Sequence, residues 1–140
     1  LVLGEDNGYL FLSCQNDGNV VAENEYALTN SEDIFDWEKT DWTRTPVKKH
    51  ADLKTIGSQV PIKCKITTKM VNRTEAELSI SNPSDRVAYM LRIVLRDKKG
   101  QIIDGVMFSD NYITIAPGST KTIHCQLPYE LKFSTDILTY

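Results

Sequence analysis

The feature that most constrains the fold is the alternation of apolar and polar residues through the C-terminal two-thirds of the chain. In residues 60–67 the apolar side chains fall on one side and Lys63, Lys65 and Thr67 on the other, and residues 75–80 repeat the pattern. Successive side chains of a strand point to opposite faces of a sheet, so this period predicts half-buried strands.

The longest alternating run, residues 87–96, predicts a strand with one fully apolar face. The inward-facing residues of that strand are predicted to be Val87, Tyr89, Leu91, Ile93 and Leu95, with the arginines facing solvent. The turn at 97–100 predicts a hairpin into 101–108, and two further strands are predicted at 121–127 and 133–140. About seven short strands separated by turns predict an all-β fold, an immunoglobulin-like β-sandwich, over roughly residues 56–140.

The N-terminal part has a different pattern. Residues 9–15 and 20–28 flank Asn16-Asp17-Gly18-Asn19, a strong signal for a β-hairpin turn. The polar segment 29–54 follows and carries both tryptophans. We therefore divide the chain into residues 1–45, an extra β-hairpin and an irregular Trp-containing linker, and residues 46–140, the terminal sandwich. An isolated hairpin exposes apolar edges, so it is predicted to fold back on the sandwich or to form a homodimer by strand exchange.

Composition excludes several classes of protein. The chain of 140 residues carries a formal charge of -3, which does not favour nucleic acid or an anionic membrane as a partner. No apolar run approaches the roughly 20 residues that span a bilayer. The chain begins at Leu1 rather than at a methionine, which we interpret as a segment of a longer protein.

Cysteine and histidine do not form a recognisable site. Three widely spaced cysteines lack the spacing of a metal site, so no metal and no cofactor is predicted. Cys64 and Cys125 are predicted to be buried free thiols, and a bridge between them stays an alternative that requires an oxidising compartment. His124 is predicted to face solvent, on the opposite face of its strand from Cys125.

No catalytic residue is predicted. The acidic residues, such as Glu75 and Glu77, are predicted on outward strand faces, where carboxyl groups are usually solvated rather than paired for acid–base chemistry. The aromatic side chains are the better candidates for a binding site. Trp37 and Trp42 lie close together in the linker, and with Tyr112 they could stack on an oligosaccharide. The alternative is that the tryptophans pin the linker onto the sandwich, since Trp buries a large apolar area.

Several segments, in the same order, resemble glycoside hydrolase family 2 in its β-mannosidase and exo-β-glucosaminidase branch. Residues 17–28 resemble the family's DGKVVSxNxYWLS strand, although Ala27 stands where the family usually has Trp. Residues 36–46 are similar to its LDWxKSxWxxTP linker, and residues 51–53 to the YADL that follows. Residues 82–95 are similar to NxSxxVAFFVRLxL, and residues 109–122 to the motif DNY-hydrophobic-x-L-x-PG-x-x-[KR]-T.

This resemblance implies a role within a larger enzyme. In the family the two catalytic glutamates belong to an upstream barrel, so this chain is expected to be a non-catalytic accessory domain that braces the preceding domains. Residues 1–45 would then be the end of a preceding β-sandwich. The resemblance further implies a periplasmic or secreted polysaccharide-degrading protein. A carbohydrate-binding module and a generic fibronectin-type-III-like interaction domain remain the alternatives.

Overall fold

The structure is a computed structural model that describes residues 8–52, 54–57 and 61–139. The chain divides into two compact units, residues 1–60 and residues 61–140. The division predicted after residue 45 falls inside the first of these units and stays a prediction. In the described residues, no helix is long and apolar enough to cross a membrane.

The described part of the first unit contains the predicted β-hairpin. Its strands are β1 (Gly8–Asn16) and β2 (Asn19–Leu28), which pair antiparallel along their whole length. Asp17 and Gly18 have φ values of 48° and 78°, so both lie in the left-handed region. Two left-handed residues between paired strands define a tight hairpin turn, which is why an Asp-Gly pair in this position predicts a hairpin.

The remainder of the first unit is more ordered than its composition indicates. Two short strands, β3 (Ile34–Phe35) and β4 (Val47–Lys49), pair antiparallel across the tryptophan-containing segment. A 3₁₀ turn covers Trp37–Lys39, and a four-residue helix, α1, covers Lys54–Gly57. The linker that was predicted as irregular is therefore a loop closed by a strand pair.

The second unit is a seven-stranded sandwich. Its strands are β5 (Lys65–Met70), β6 (Glu75–Ser81), β7 (Ala88–Arg96), β8 (Met107–Phe108), β9 (Ile113–Ile115), β10 (Thr120–Gln126) and β11 (Ser134–Leu138). One sheet has the order β5-β6-β10-β8 and the other β11-β7-β9, with antiparallel neighbours throughout. The predicted all-β immunoglobulin-like architecture is confirmed.

The core of the sandwich lies between the two sheets. The alternation in β6 predicts its buried face correctly, because Ala76, Leu78 and Ile80 are at most 1% exposed. Side chains from both sheets join this cluster, namely Leu91, Ile93, Leu95, Ile113, Ile115, Ile123, Cys125 and Leu127. Full burial of one Leu or Ile side chain contributes about 1.5–3 kcal/mol, so this layer is the main source of stability for the second unit.

A bulge in β7 corrects the prediction for the start of that strand. Leu91, Ile93 and Leu95 face the core as predicted, but Val87 and Tyr89 are only partly buried, and Ala88 takes the inner position. The pairing of β7 with β9 shifts register between Ala88 and Leu91, where Met90 has a φ of 50°. One extra residue reverses the alternation of side chains, so the residues before Met90 change face.

The predicted hairpin after β7 is shorter than expected. Residues 101–108 make only a single bridge with β7, between Arg96 and Ile102, followed by a hydrogen bond from the Ile103 N–H to the Leu95 carbonyl oxygen at 2.9 Å. The chain then turns at Gly105, with a φ of 76°, and β8 pairs with β10 in the other sheet. The segment therefore crosses between the sheets, and its Ile103, Val106 and Phe108 pack against the core.

A buried asparagine joins the two sheets at the other end of β6. Asn82 is 1% exposed, and its Nδ2 donates to the carbonyl oxygens of Arg86 at 2.7 Å, Ile115 at 3.1 Å and Ala116 at 3.3 Å. Its Oδ1 accepts the Ser84 N–H and hydroxyl at 3.1 and 2.7 Å. The side chain therefore ties the turn after β6 to the end of β9.

All three cysteines are free thiols, so the alternative of a Cys64–Cys125 bridge is wrong for this structure. Cys14 is exposed, Cys64 is partly buried and Cys125 is buried. Burial raises the pKa of both the Cys64 and the Cys125 thiol. The unfolded chain therefore loses these two protons first, so their contribution to stability falls as pH rises above the ordinary thiol pKa of about 8.5.

Replacing Asn82 with alanine is expected to lower the free energy of unfolding by about 3 kcal/mol, since it removes this donor from the buried Ile115 carbonyl group and from the partly buried carbonyl groups of Arg86 and Ala116. Urea denaturation of the variant measures this loss. Asn72→Ala is the matched control, because Asn72 makes its hydrogen bonds in an exposed turn and should cost less than about 1 kcal/mol. Equal losses in both variants would contradict the structural role of Asn82.

Thiol labelling is expected to proceed in the order Cys14, Cys64, Cys125, because the thiolate is the reactive form and burial disfavours it. Mass spectrometry of maleimide-treated protein near neutral pH measures the order, and labelling of the two slow thiols should accelerate as pH rises. In denaturant all three should react alike. A tryptic fragment that links residues 64 and 125 would contradict the structure.

Candidate functional site

The two tryptophans lie in a loop of residues 36–46, named here the tryptophan loop, which is closed at its base by Asp36. The Asp36 N–H donates to the Pro46 carbonyl oxygen at 2.8 Å, so the two ends of the loop meet. The Asp36 side chain is 7% exposed, and its carboxylate oxygens lie 3.3 Å from the ammonium groups of Lys39 and Lys48. A buried carboxylate requires such partners. Through Asp36, Lys39 near the start of the loop is linked to Lys48, which lies just after its end.

The tip of the tryptophan loop is ordered by a second acid, Asp41. One of its carboxylate oxygens accepts the Thr43 hydroxyl, the Thr43 N–H at 2.7 Å and the Arg44 N–H at 3.0 Å. The Asp41 N–H in turn donates to the Arg44 carbonyl oxygen at 3.1 Å. The Thr43 hydroxyl and these two backbone N–H groups hold the pKa of Asp41 below its ordinary value. The carboxylate therefore stabilises the turn at neutral pH.

This ordered loop presents two exposed indole rings. Trp37 is 70% exposed, and its ring lies 5.4 Å from that of Phe35 at an interplanar angle of 50°. Trp42 is 97% exposed. Both rings offer large apolar faces to a partner. The two roles predicted for them, stacking on sugar and attachment of the linker to the sandwich, stay predictions.

Tyr112 belongs to the second unit and lies just before β9. Its φ is 55° and its side chain is 46% exposed. The side chain of Asn111 fixes this conformation, because its Oδ1 accepts the N–H of Tyr112 at 2.8 Å and that of Ile93 at 2.7 Å. The Asn111 Nδ2 donates back to the Ile93 carbonyl oxygen at 2.9 Å. Asn111 therefore continues the ladder between β7 and β9 through its side chain.

The predicted sugar-contact residues do not form one cluster within a unit. Trp37 and Trp42 lie in the first unit and Tyr112 in the second. None of them lines either of two surface grooves found among the described residues of the second unit. One groove, of about 940 Å³, runs between β5 and β11, and the other, of about 540 Å³, crosses the outer face of the β5-β6-β10-β8 sheet.

The acidic, histidine and cysteine side chains of the described residues do not cluster into a metal-binding group. His124 is exposed, as predicted, and Glu75 is exposed at the start of β6. Glu77 is partly buried and lies opposite His124 across the β6–β10 pair. Within residues 8–52, 54–57 and 61–139, no group of three or more His, Cys, Asp or Glu is placed to hold a metal ion.

Sequence reasoning found the aromatic residues but missed what positions them. The burial of Asp36 and the strand-like role of Asn111 depend on contacts with residues ten or more positions away. A local signal exists only for Asp41, since an Asp followed two residues later by Thr is typical of a turn in which the carboxylate accepts backbone N–H groups.

Comparison with known proteins gives one consistent assignment. Residues 42–136 match the model of the exo-β-D-glucosaminidase Ig-fold domain family. Exo-β-D-glucosaminidase from Arthroderma benhamiae is 32% identical over 114 residues, which cover 80% of this chain and 13% of that protein. The enzyme of the same name from Streptomyces avermitilis is 32% identical over 112 residues, covering 76% of this chain and 12% of the relative.

A solved structure supports the fold. The exo-chitosanase CsxA of Amycolatopsis orientalis superposes with a TM-score of 0.66 at 24% identity, covering 87% of this chain and 16% of that one.

The chain thus spans only a small part of the curated relatives it matches, 12–13% of the length of these two. Both are named exo-β-D-glucosaminidases, and the β-mannosidase half of the resemblance receives no support from these names. The family match covers more than half of the chain and includes Trp42 and Tyr112. The chain belongs to the family of the Ig-fold domain of exo-β-D-glucosaminidase, within glycoside hydrolase family 2.

Proposed function

We propose that this chain acts as a non-catalytic accessory domain in an enzyme that removes β-D-glucosamine units from carbohydrate, and that its tryptophan loop braces the catalytic region. The observation that carries the proposal is the combination of an ordered loop with two exposed indole rings. Trp37 and Trp42 are 70% and 97% exposed on a loop that Asp36 and Asp41 hold in place.

The energetics favour a protein surface as the partner of the loop. A tryptophan buries roughly 150–250 Å² when it is covered, which at about 25 cal/mol per Å² contributes about 4–6 kcal/mol. An ordered loop loses little conformational entropy when it docks. An indole as exposed as that of Trp42 gains most from a surface that encloses it on several sides, whereas a sugar covers one face of the ring.

The catalytic groups of such an enzyme would lie in the rest of the protein. The relatives are about eight times longer than the region they share with this chain, as their matched shares of 12–13% imply. A retaining glycosidase needs two carboxyl groups about 5–5.5 Å apart. Under the accessory role, these two groups belong to the part of the enzyme outside the region shared with this chain. The relatives' names supply the sugar of the proposed reaction, β-D-glucosamine.

A carbohydrate-binding role is the second candidate. It is favoured by the exposed faces of Trp37, Trp42 and Tyr112 and by the left-handed backbone of Tyr112, a conformation that costs energy and often marks a functional position. A generic fibronectin-type-III-like interaction domain would need only the sandwich, and the family match over residues 42–136 argues against it.

The isolated chain is expected to show no hydrolysis of p-nitrophenyl β-D-glucosaminide above the rate in buffer. Release of p-nitrophenol at 25 °C measures this, with an intact exo-β-D-glucosaminidase as the positive control. Turnover that co-purifies with the chain and disappears on heating would overturn the non-catalytic assignment.

The bracing and sugar-binding roles predict different results in a fluorescence titration. Under the bracing role, glucosamine oligosaccharides leave the tryptophan emission unchanged, because the indole rings bind a protein surface and not sugar. Trp42→Ala in the isolated chain should change the free energy of unfolding by less than about 0.5 kcal/mol, since the ring makes almost no contacts there. A saturable change in emission that Trp42→Ala abolishes would favour the binding module instead.

The brace itself can be tested in a chimera. Residues 36–136 of this chain, which include the whole tryptophan loop, would replace the corresponding segment of the Streptomyces avermitilis relative, and Trp42→Ala in the chimera should lower its inactivation temperature. Met107→Ala is a matched control, because Met107 is also exposed, at 67%, and lies outside the tryptophan loop. An unchanged inactivation temperature in the Trp42 variant would contradict the bracing role.

A further inference from the structure

The tip of the tryptophan loop carries an exposed cation, Arg44, beside the exposed ring of Trp42. The backbone of Arg44 is fixed at both of its polar groups. Its N–H donates to the Asp41 Oδ1 at 3.0 Å, and its carbonyl oxygen accepts the Asp41 N–H at 3.1 Å. The same carboxylate oxygen accepts the N–H and the hydroxyl of Thr43, which lies between Trp42 and Arg44. One turn therefore sets the backbone positions of both residues.

The charge of Arg44 has no ion-pair partner within the part of the chain that the structure describes. Arg73 lies 3.7 Å from Glu130 and Arg96 lies 2.8 Å from Asp136, whereas no described carboxylate lies within ion-pair distance of the Arg44 guanidinium. Asp41, the nearest acid in the sequence, directs one carboxylate oxygen at the turn instead. Arg44 is therefore able to pair with a carboxylate on another surface.

An indole and a guanidinium on one ordered turn match a particular kind of protein interface. Trp and Arg are enriched among the residues that dominate the binding energy of protein interfaces. Arg binds a carboxylate through two parallel hydrogen bonds, and an ordered turn loses little conformational entropy on docking. Enclosing Trp42 also removes water from the residues beside it, and a guanidinium that loses water without gaining a partner opposes docking.

We propose that the tip of the tryptophan loop docks into an apolar pocket with a carboxylate at its rim, on the catalytic region of the enzyme. Trp42 fills the pocket, and Arg44 pairs with the carboxylate. The pairing rests on the bracing role proposed above and adds to it the chemistry of the surface that the loop meets. Trp42 then supplies most of the apolar contact, whereas Arg44 selects the surface that carries an acid in the right place.

Charge favours a protein carboxylate over an amino sugar as the partner of this tip. The relatives are named for β-D-glucosamine, whose amino group is positively charged when it is protonated. A glucosamine oligosaccharide stacked on Trp42 would bring its ammonium groups close to the guanidinium of Arg44, and like charges repel. An acid on a protein surface is attracted to the same guanidinium.

The chimera with the Streptomyces avermitilis relative tests the proposal, with the rate of thermal inactivation as the readout. Arg44→Met keeps a long apolar side chain and removes the charge, so it should speed inactivation about threefold or more. Arg44→Glu should speed it further, because it places two carboxylates opposite each other. Lys49→Met is the matched control, because Lys49 is an exposed cation of the same unit that lies outside the tryptophan loop. This control should leave the rate almost unchanged.

Trp42→Ala in the same chimera separates the pairing of Arg44 from the bracing role. If Trp42→Ala speeds inactivation while the Arg44 variants behave like Lys49→Met, the pairing with a carboxylate is wrong and the brace stands. If Trp42→Ala and the Arg44 variants all leave the rate unchanged, the bracing role fails and the pairing fails with it.

Salt gives a readout that a purely apolar contact does not change. The difference in inactivation rate between the chimera and its Arg44→Met variant should shrink as sodium chloride is raised to about 1 M, because salt screens the ion pair. In the isolated chain, Arg44→Met should keep the urea midpoint of the wild type, since the partner of the guanidinium lies outside this chain. A difference that salt does not reduce, or a lower midpoint in the isolated chain, would overturn the proposal.

Discussion

The apolar layer between the two sheets of the second unit is the interaction on which the rest of the structure depends. Leu78 and Ile80 from one sheet and Leu91, Ile93 and Leu95 from the other are at most 1% exposed. Every strand of the sandwich contributes to this layer or pairs with a strand that does. The positions of the loops, and with them the exposed side chains such as Tyr112, are set by this packing.

Polar side chains complete the sandwich where strands end early. Asn82 links the turn after β6 to the end of β9, and Asn111 stands in for a strand residue opposite Ile93. The Oγ1 of Thr114, which is 2% exposed, lies 3.4 Å from the Met90 N–H at the bulge. These hydrogen bonds satisfy backbone groups that the irregular ladder leaves without a strand partner. They also explain how Met90 and Tyr112 can hold left-handed conformations, which are costly for residues with a side chain.

Local patterns predicted those parts of the fold that local physics decides. The hairpin follows from Asp17-Gly18, and the buried face of β6 follows from strict alternation. The bulge in β7 could not be predicted, because it arises from the pairing of β7 with β9 and leaves no mark in the apolar pattern. The crossing of residues 101–108 between sheets likewise depends on which strand is available to β8.

In the candidate site, too, local sequence predicted some features and tertiary contacts decided the others. The sequence indicated Trp37, Trp42 and Tyr112 as candidate contact residues because they are aromatic. Their exposure and their distribution over two units are tertiary properties that the sequence does not show. The burial of Asp36 between two lysines was equally hidden, because an acid in a polar segment is usually exposed.

One apolar layer makes the two sheets of the sandwich a single cooperative unit, and the loops of the second unit depend on it. Native-state amide hydrogen exchange at increasing denaturant tests it most directly. The account predicts that the slowest amides of β6 and of β7, which belong to different sheets, exchange through the same global opening with the same free energy. Separate opening of the β11-β7-β9 sheet at a clearly lower free energy than the β5-β6-β10-β8 sheet would contradict it.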